Sequence, residues 1–369
     1  MPWFLLPLLS ACAPDLFRVA GYEQERFTNR ADLLFVLDPS PALAPEHDAL
    51  KATAGPFLDD LTGEAADIGT DGLVDAVENY IDFAARRTEF VDFHLAVTRT
   101  DAEATWGALE GEVLRFGDPD PEPAFVAAIE AATASPRAGP EEGLEALFMT
   151  LCRGVEEPPL PCFDPLNQFL HDDIGTAAPL FRPGATFLPV ILSAEGDHSR
   201  RKDTGEDWLP DEYEALYELF DLRMIWTVIA PDDEACAEEA PVAPEWALAR
   251  YAHFVEASDG LWIDLADPAE GCARVDFEEV FERLGALIDR LRTVFVLQAV
   301  PDPGSLHVFV DDAPAARATA DDDGAWTDGW SYDPAQNAVV FHGAAVPDYA
   351  AEVRIYYLPL SGKPRDLPF

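Results

Sequence analysis

The sequence predicts an α/β protein: a doubly wound, mainly parallel sheet flanked by helices, followed by a small all-β module. Three observations predict it. Leu33 to Leu37 is a short, unbroken apolar run, as expected of a strand buried on both faces, and it stops abruptly at Asp38-Pro39-Ser40-Pro41. From Asp32 to Arg292, strand-like and helix-like segments alternate. After Thr293 the helical period disappears, and short strand candidates separated by Pro, Gly and Asp turns replace it.

The elements follow in chain order. Met1 to Ala11 carries no charged side chain and is far shorter than the roughly 20 apolar residues that span a bilayer. It suits the apolar region of a secretory signal, although no Lys or Arg precedes it. It ends in Leu9-Ser10-Ala11-Cys12, which resembles the bacterial lipoprotein box. That resemblance implies that Cys12 carries acyl chains, that residues 12–31 form a tether, and that the exported chain is anchored to the cell envelope, at the outer membrane because Ala13 follows the cysteine.

Leu43 to Leu61 is a helix candidate with Leu50, Phe57, Leu58 and Leu61 on one side. Leu73 to Arg87 repeats the pattern through Val74, Val77, Ile81 and Ala84. Val91 to Val97 alternates as a strand and runs into Thr98-Arg99-Thr100-Asp101. Glu122 to Thr133 and Glu141 to Leu151 read as helices, with Glu141 and Glu142 as charges favoured at a helix start. Thr186 to Leu192 is a second buried strand, opening into Ser193-Ala194-Glu195-Gly196-Asp197-His198-Ser199. Asp211 to Leu222 and Trp246 to Ala257 are helices, with a strand from Met224 to Ile229 between them and an edge strand from Leu261 to Leu265 after them. Phe277 to Leu291 is amphipathic. Val294 to Val300, Leu306 to Val310, Ala338 to Phe341 and Val353 to Tyr357 are the strands of the closing module. The predicted boundaries are therefore 1–11 for the signal, 12–31 for the tether, 32–292 for the α/β domain and 293–369 for the β module.

Composition narrows the function. The 369 residues carry a formal net charge of −46 with 49% hydrophobic residues. A mean hydropathy of −0.05 is ordinary for a folded protein. So acidic a chain repels phosphate backbones, so nucleic acid is not an expected partner. Apart from Cys12, the cysteines are Cys152, Cys162, Cys236 and Cys272; an even number in an exported chain suggests two disulfides, locally Cys152–Cys162 and Cys236–Cys272. No Cys-x-x-Cys or matching His pair argues for structural zinc. Gly-x-Ser-x-Gly, Walker, dinucleotide and His-Glu-x-x-His motifs are all missing, so nothing in the sequence argues for an enzyme. His171-Asp172-Asp173 reads as a solvated turn, and His198 has no identified partner to make it catalytic.

An apolar strand followed by Asp-x-Ser-x-Ser resembles the first metal-site loop of von Willebrand factor type A domains. Here it reads Asp38-Pro39-Ser40-Pro41-Ala42, with Asp and the first Ser in place and Ala42 for the second. Thr100-Asp101 resembles the Thr-Thr-Asp that follows a strand in related bacterial domains, with Arg99 departing. Glu141-Glu142-Gly143-Leu144-Glu145-Ala146 resembles the helix after the second metal loop, without the usual Thr before it. The third loop has Ala194 where an Asp is usual, with Glu195 and Asp197 nearby. Trp330-Ser331-Tyr332 and Asn337 to Phe341 are similar to elements of the tail modules in some bacterial type A lipoproteins. The resemblance implies a degenerate site for Mg²⁺ or Ca²⁺ at Asp38, Ser40, Asp101 and Asp197. It also implies a non-enzymatic role in protein binding or adhesion, with a protein partner at the carboxyl-end loops. A cation-dependent hydrolase using the acidic loops and a purely structural envelope protein are the two other readings.

Overall fold

The computed structural model describes residues 23–28, 30–62, 91–119, 121–134, 141–155, 157–163, 175–177, 179–182, 184–200, 205–206, 208–220, 222–231, 245–267, 273–320, 325–348 and 351–360. The expected helix at Leu73 to Arg87, the His171-Asp172-Asp173 turn, Cys12, Cys236 and Cys272 lie outside them.

Chain order begins with β1 (Glu23–Thr28), β2 (Arg30–Leu37), α1 (Ala44–Ala52), α2 (Ala54–Thr62), β3 (Asp92–Arg99), α3 (Ala102–Thr105), β4 (Leu114–Arg115), α4 (Pro121–Thr133) and α5 (Gly143–Gly154). It continues with β5 (Thr186–Leu192), α6 (Pro210–Tyr217), β6 (Arg223–Met224), β7 (Thr227–Ala230), α7 (Glu245–Ser258), β8 (Leu261–Asp264), β9 (Ala266–Asp267), β10 (Ala273–Arg274) and α8 (Phe277–Thr293). The module strands are β11 (Val294–Val296), β12 (His307–Val310), β13 (Ala313–Pro314), β14 (Gly329–Asp333), β15 (Ala338–His342) and β16 (Glu352–Tyr357).

The central sheet runs β4-β3-β2-β5-β7-β8, with the short β6 beside β5. All its pairings are parallel except β3 with β4 at one edge. Each strand of β2 and β5 is buried from end to end apart from Arg30. Alternation divides β2 between two cores. Leu33, Phe35 and Leu37 join Phe57, Phe125, Phe281 and Leu284 from α2, α4 and α8. Leu34 and Val36 join Leu147, Tyr217 and Phe254 from α5, α6 and α7. This is the expected doubly wound arrangement, with helices on both faces of a mainly parallel sheet.

The amino ends of β2 and β3 are tied together by two cations: Arg30 pairs with Asp92 across the strands (3.3 Å), and Arg182 reaches both strands. Arg182 donates its backbone N–H and Nε to the two oxygens of Asp32, both at 2.8 Å, and pairs with Asp92. Burial still pushes Asp32 up to about 6, against the pull of Arg182. Asp32 and Asp92 at this end of the sheet are thus committed to joining the strands.

Several elements differ from their local patterns. The single helix expected at Leu43 to Leu61 breaks at Thr53 into α1 and α2. In an unbroken helix Pro56 would have no N–H to offer the carbonyl of Ala52, and its ring would crowd that carbonyl. The strand expected at Met224 to Ile229 splits into β6 and β7, because the N–H of Trp226 turns away to Ser258 Oγ (3.1 Å) while its ring stacks on Phe254. Residues 23–28, read as tether, form β1 and pair along their whole length with β16. The closing module therefore contains β1-β16-β12-β13 packed against β11-β15-β14. Its core includes Phe27, Phe295, Val308, Trp330, Phe341, Ile355 and Tyr357. Trp330-Ser331-Tyr332 is β14; Asn337 takes φ of 53° in the turn before β15 and donates to the carbonyl of Leu297 (2.7 Å). Cys152 and Cys162 are joined, fastening the end of α5 to the turn at Leu160–Phe163. No helix among the described residues is long and apolar enough to cross a membrane.

Candidate functional site

The strand order reverses direction between β2 and β5, and in open α/β sheets the crevice beyond the carboxyl ends at such a switch is where ligands sit. Asp38 is the first residue beyond β2. Its N–H donates to Leu192 at the end of β5 (2.9 Å), which places it on the switch. Its side chain is fully buried and held by two backbone amides: Ser40 N–H to Oδ1 (2.7 Å) and Ala194 N–H to Oδ2 (2.8 Å). Its carbonyl accepts a hydrogen bond from His47 Nε2 (2.9 Å). Burial holds His47 below its ordinary value, so it acts as a neutral donor that pins the loop.

Three further groups converge there. The N–H of Thr100, the residue after β3, donates to Leu37 (3.0 Å), and its hydroxyl donates to Glu141 Oε2. Glu141 stands just ahead of α5, is 3% exposed, and shares a hydrogen bond with the Asp38 carboxyl. Burial first, and then the neighbouring Asp38 charge, push Glu141 from 4.5 up to about 9; Glu195 adds repulsion in the same sense. At neutral pH Glu141 therefore carries a proton. The Ser40 hydroxyl is buried and has no hydrogen-bond partner among the described residues. Asp38, Glu141 and Thr100 are linked side chain to side chain, and Ser40 adjoins them through its N–H on Asp38; their carboxyls and hydroxyls, from three loops, are hard oxygen donors of the kind that Mg²⁺ and Ca²⁺ take.

Sequence reasoning named Asp38 and Ser40 in this ring but not Thr100 or Glu141. Glu141 was legible only as a helix-start charge. The signal available was its position: a carboxylate stands at the head of the helix whose metal-loop Thr is missing.

Asp101 and Asp197 are engaged by other partners. Asp101 Oδ1 accepts from the Ala104 N–H (3.3 Å), and its carbonyl accepts from the Thr105 hydroxyl, so it caps α3. Asp197 is fully buried. It accepts from Leu144 N–H (3.0 Å), Ser199 Oγ (2.7 Å), Ser199 N–H (3.2 Å) and Arg250 (3.1 Å). Burial raises its pKa, with Ser199, Leu144 and Arg250 opposing. This carboxylate joins the β5 loop to α5 and α7. Gly196 lets the loop turn: its φ is 78°, and a Cβ there would stand 2.8 Å from the Ala247 backbone. The His198 N–H then reaches the carbonyl of Glu141 (2.6 Å). The Glu141 backbone is thereby held by the same loop that carries the Asp197–Arg250 ion pair.

No protein-family model and no curated protein matches the chain. Among solved structures, it is similar to a von Willebrand factor type A protein from Catenulispora acidiphila, at 12% identity and TM-score 0.33, over 93% of this chain and 66% of that one. It is similar to proximal thread matrix protein 1 of the mussel byssus with a zinc-occupied MIDAS motif, at 10% identity and TM-score 0.34, over 76% of this chain and 52% of that one. It is also similar to the pilus adhesin of Streptococcus pneumoniae, at 8% identity and TM-score 0.27, over 91% and 57%. The chain spans between about half and two thirds of the length of these structures.

Proposed function

We propose that the chain is a type A-like protein-binding module, non-enzymatic, whose strand-end ring holds a divalent cation and docks a protein partner. The observation that carries this reading is the unpartnered, buried Ser40 hydroxyl beside the facing carboxyls of Asp38 and Glu141 at the sheet's switch point. Such a group costs stability unless something fills its lone pairs. Asp38, Ser40, Thr100 and Glu141 would hold the ion, and Glu141 substitutes for the missing Thr. A bound Mg²⁺ or Ca²⁺ supplies a Lewis-acidic position for an oxygen of the partner. The loop that carries the Asp197–Arg250 pair holds the Glu141 backbone in place. Asp101 and Asp197 serve this reading as a cap and a brace.

Metal addition to the chelator-stripped full chain tests it. Mg²⁺ or Ca²⁺ is expected to raise the unfolding temperature saturably, by about 2.7 kcal/mol in stability at a hundredfold excess over Kd. Asp38→Ala should abolish the response. A response of equal size in Asp38→Ala would place cation binding on the acidic surface generally and overturn the site.

We propose with it an envelope lipoprotein anchored through Cys12, on the support of Leu9-Ser10-Ala11-Cys12. A palmitate analogue should label the wild type and leave Cys12→Ala unlabelled; equal labelling removes the anchor.

A further inference from the structure

Three side chains converge between α6 and α7. Asp211 and Glu214 lie three residues apart on α6 and so share a face of that helix. His253, on α7, stands opposite, with Nε2 at 3.2 Å from Glu214 Oε2. One ligand atom from each of the three lies within 4.8 Å of the others. Bonds of about 2.0–2.2 Å to one zinc ion hold its ligands no more than roughly 4.4 Å apart, so small rotations of these side chains close the set.

We propose that Asp211, Glu214 and His253 form a Zn²⁺ site, separate from the oxygen-only site at Asp38. Carboxylate pairs are common on so acidic a chain. The imidazole brought to this pair by a different helix makes it a ligand set of another chemistry. Imidazole nitrogen favours zinc and its transition-metal neighbours, and all-oxygen rings favour Mg²⁺ and Ca²⁺. Glu214 and His253 are partly buried, with side-chain exposures of 22% and 30%, and Asp211 is exposed. The ion therefore has a way in, and the remaining positions stay open to water or to a partner's ligand.

The frame is rigid where such a site needs it. On the opposite face of α6, Tyr213 donates to Glu145 Oε2 (2.6 Å) and Tyr217 to the carbonyl of Leu144 (2.7 Å). On α7, Arg250 is anchored to Asp197 one turn before His253. A net charge of −46 raises the local concentration of divalent cations around both helices.

Calorimetric titration of the stripped full chain with Zn²⁺ alone tests the assignment, alongside Co²⁺ absorption as a report of nitrogen ligation. The expected result is a saturable site that persists in Asp38→Ala, disappears in His253→Ala, and weakens at least tenfold in Glu214→Gln. The Co²⁺ spectrum should change in the His253 variant only if the imidazole is bound. Circular dichroism confirms folding of each variant, and Glu214→Gln stands in if His253→Ala does not fold. Unchanged zinc binding in the folded variants, loss only in Asp38→Ala, or no saturable binding in the wild type would each overturn the site. The Asp38→Ala arm separates this failure from failure of the strand-end reading.

Discussion

Arg250→Met is expected to destabilise the protein by about 3–5 kcal/mol, the usual cost of leaving a buried charge without its partner. Arg250 is 5% exposed at its side chain and Asp197 is 0%. The guanidinium donates to the Asp197 carboxylate (3.1 Å), the Asp197 carbonyl (3.2 Å) and the Ser199 carbonyl (2.9 Å). Methionine fills similar volume and supplies none of these bonds. Asp197 keeps Ser199 and Leu144, which soften the loss without neutralising the charge. Urea unfolding gives the measurement: the midpoint should fall with little change in slope. Because the pair braces the β5 loop, Mg²⁺ binding should weaken in the same variant. A loss below about 1 kcal/mol would show that the pair is solvated and does not brace the loop.

Glu141→Gln is expected to act in opposite directions on stability and on metal binding. Glu141 is pushed from 4.5 up to about 9 in the folded protein. Between those values the native state holds a proton that the unfolded state has released. Stability of the metal-free protein is therefore full below about 4.5 and falls as pH rises toward 9, by up to about 1.4 kcal/mol per pH unit from this group. Glutamine stays neutral throughout. The stripped variant should match the wild type near pH 4 and exceed it by several kcal/mol, to order of magnitude, at pH 8. Its response to Mg²⁺ should shrink, because a charged oxygen has been lost. In the wild type, metal loading near pH 7 should release about one proton per ion, seen as a buffer-dependent calorimetric heat. Parallel stability–pH curves for the two proteins would sink this account of Glu141.

The sequence by itself determined the parts whose cause is local. β2 and β5 are buried on both faces, so their apolar runs mark them without reference to a partner. The Thr186–Leu192 strand keeps its expected bounds, and α8 extends its expected span by two residues, to Thr293. The strand–helix alternation carried the fold class. The short spacing of Cys152 and Cys162 suggested their pairing, which the fold realises.

Only the tertiary structure decided which neighbours these segments meet. β1 reads as polar chain because Gln24 and Arg26 are exposed and Glu25, on the same face as Phe27, is a carboxylate; Phe27 gains a core, and Glu25 the Tyr357 hydroxyl, only when β16 arrives from the far end of the chain. Asp38, Asp101 and Asp197 are indistinguishable as loop carboxylates in sequence. Two amides orient the first, the second caps a helix, and Arg250 and Ser199 enclose the third. Glu141 stands 103 residues beyond Asp38 (141 − 38) and meets it because the sheet order sets α5 beside the switch point. A residue's polarity is local, whereas its desolvation and its hydrogen-bond donors come from distant segments. That is why the strands were legible one by one and the chemistry of the site was not.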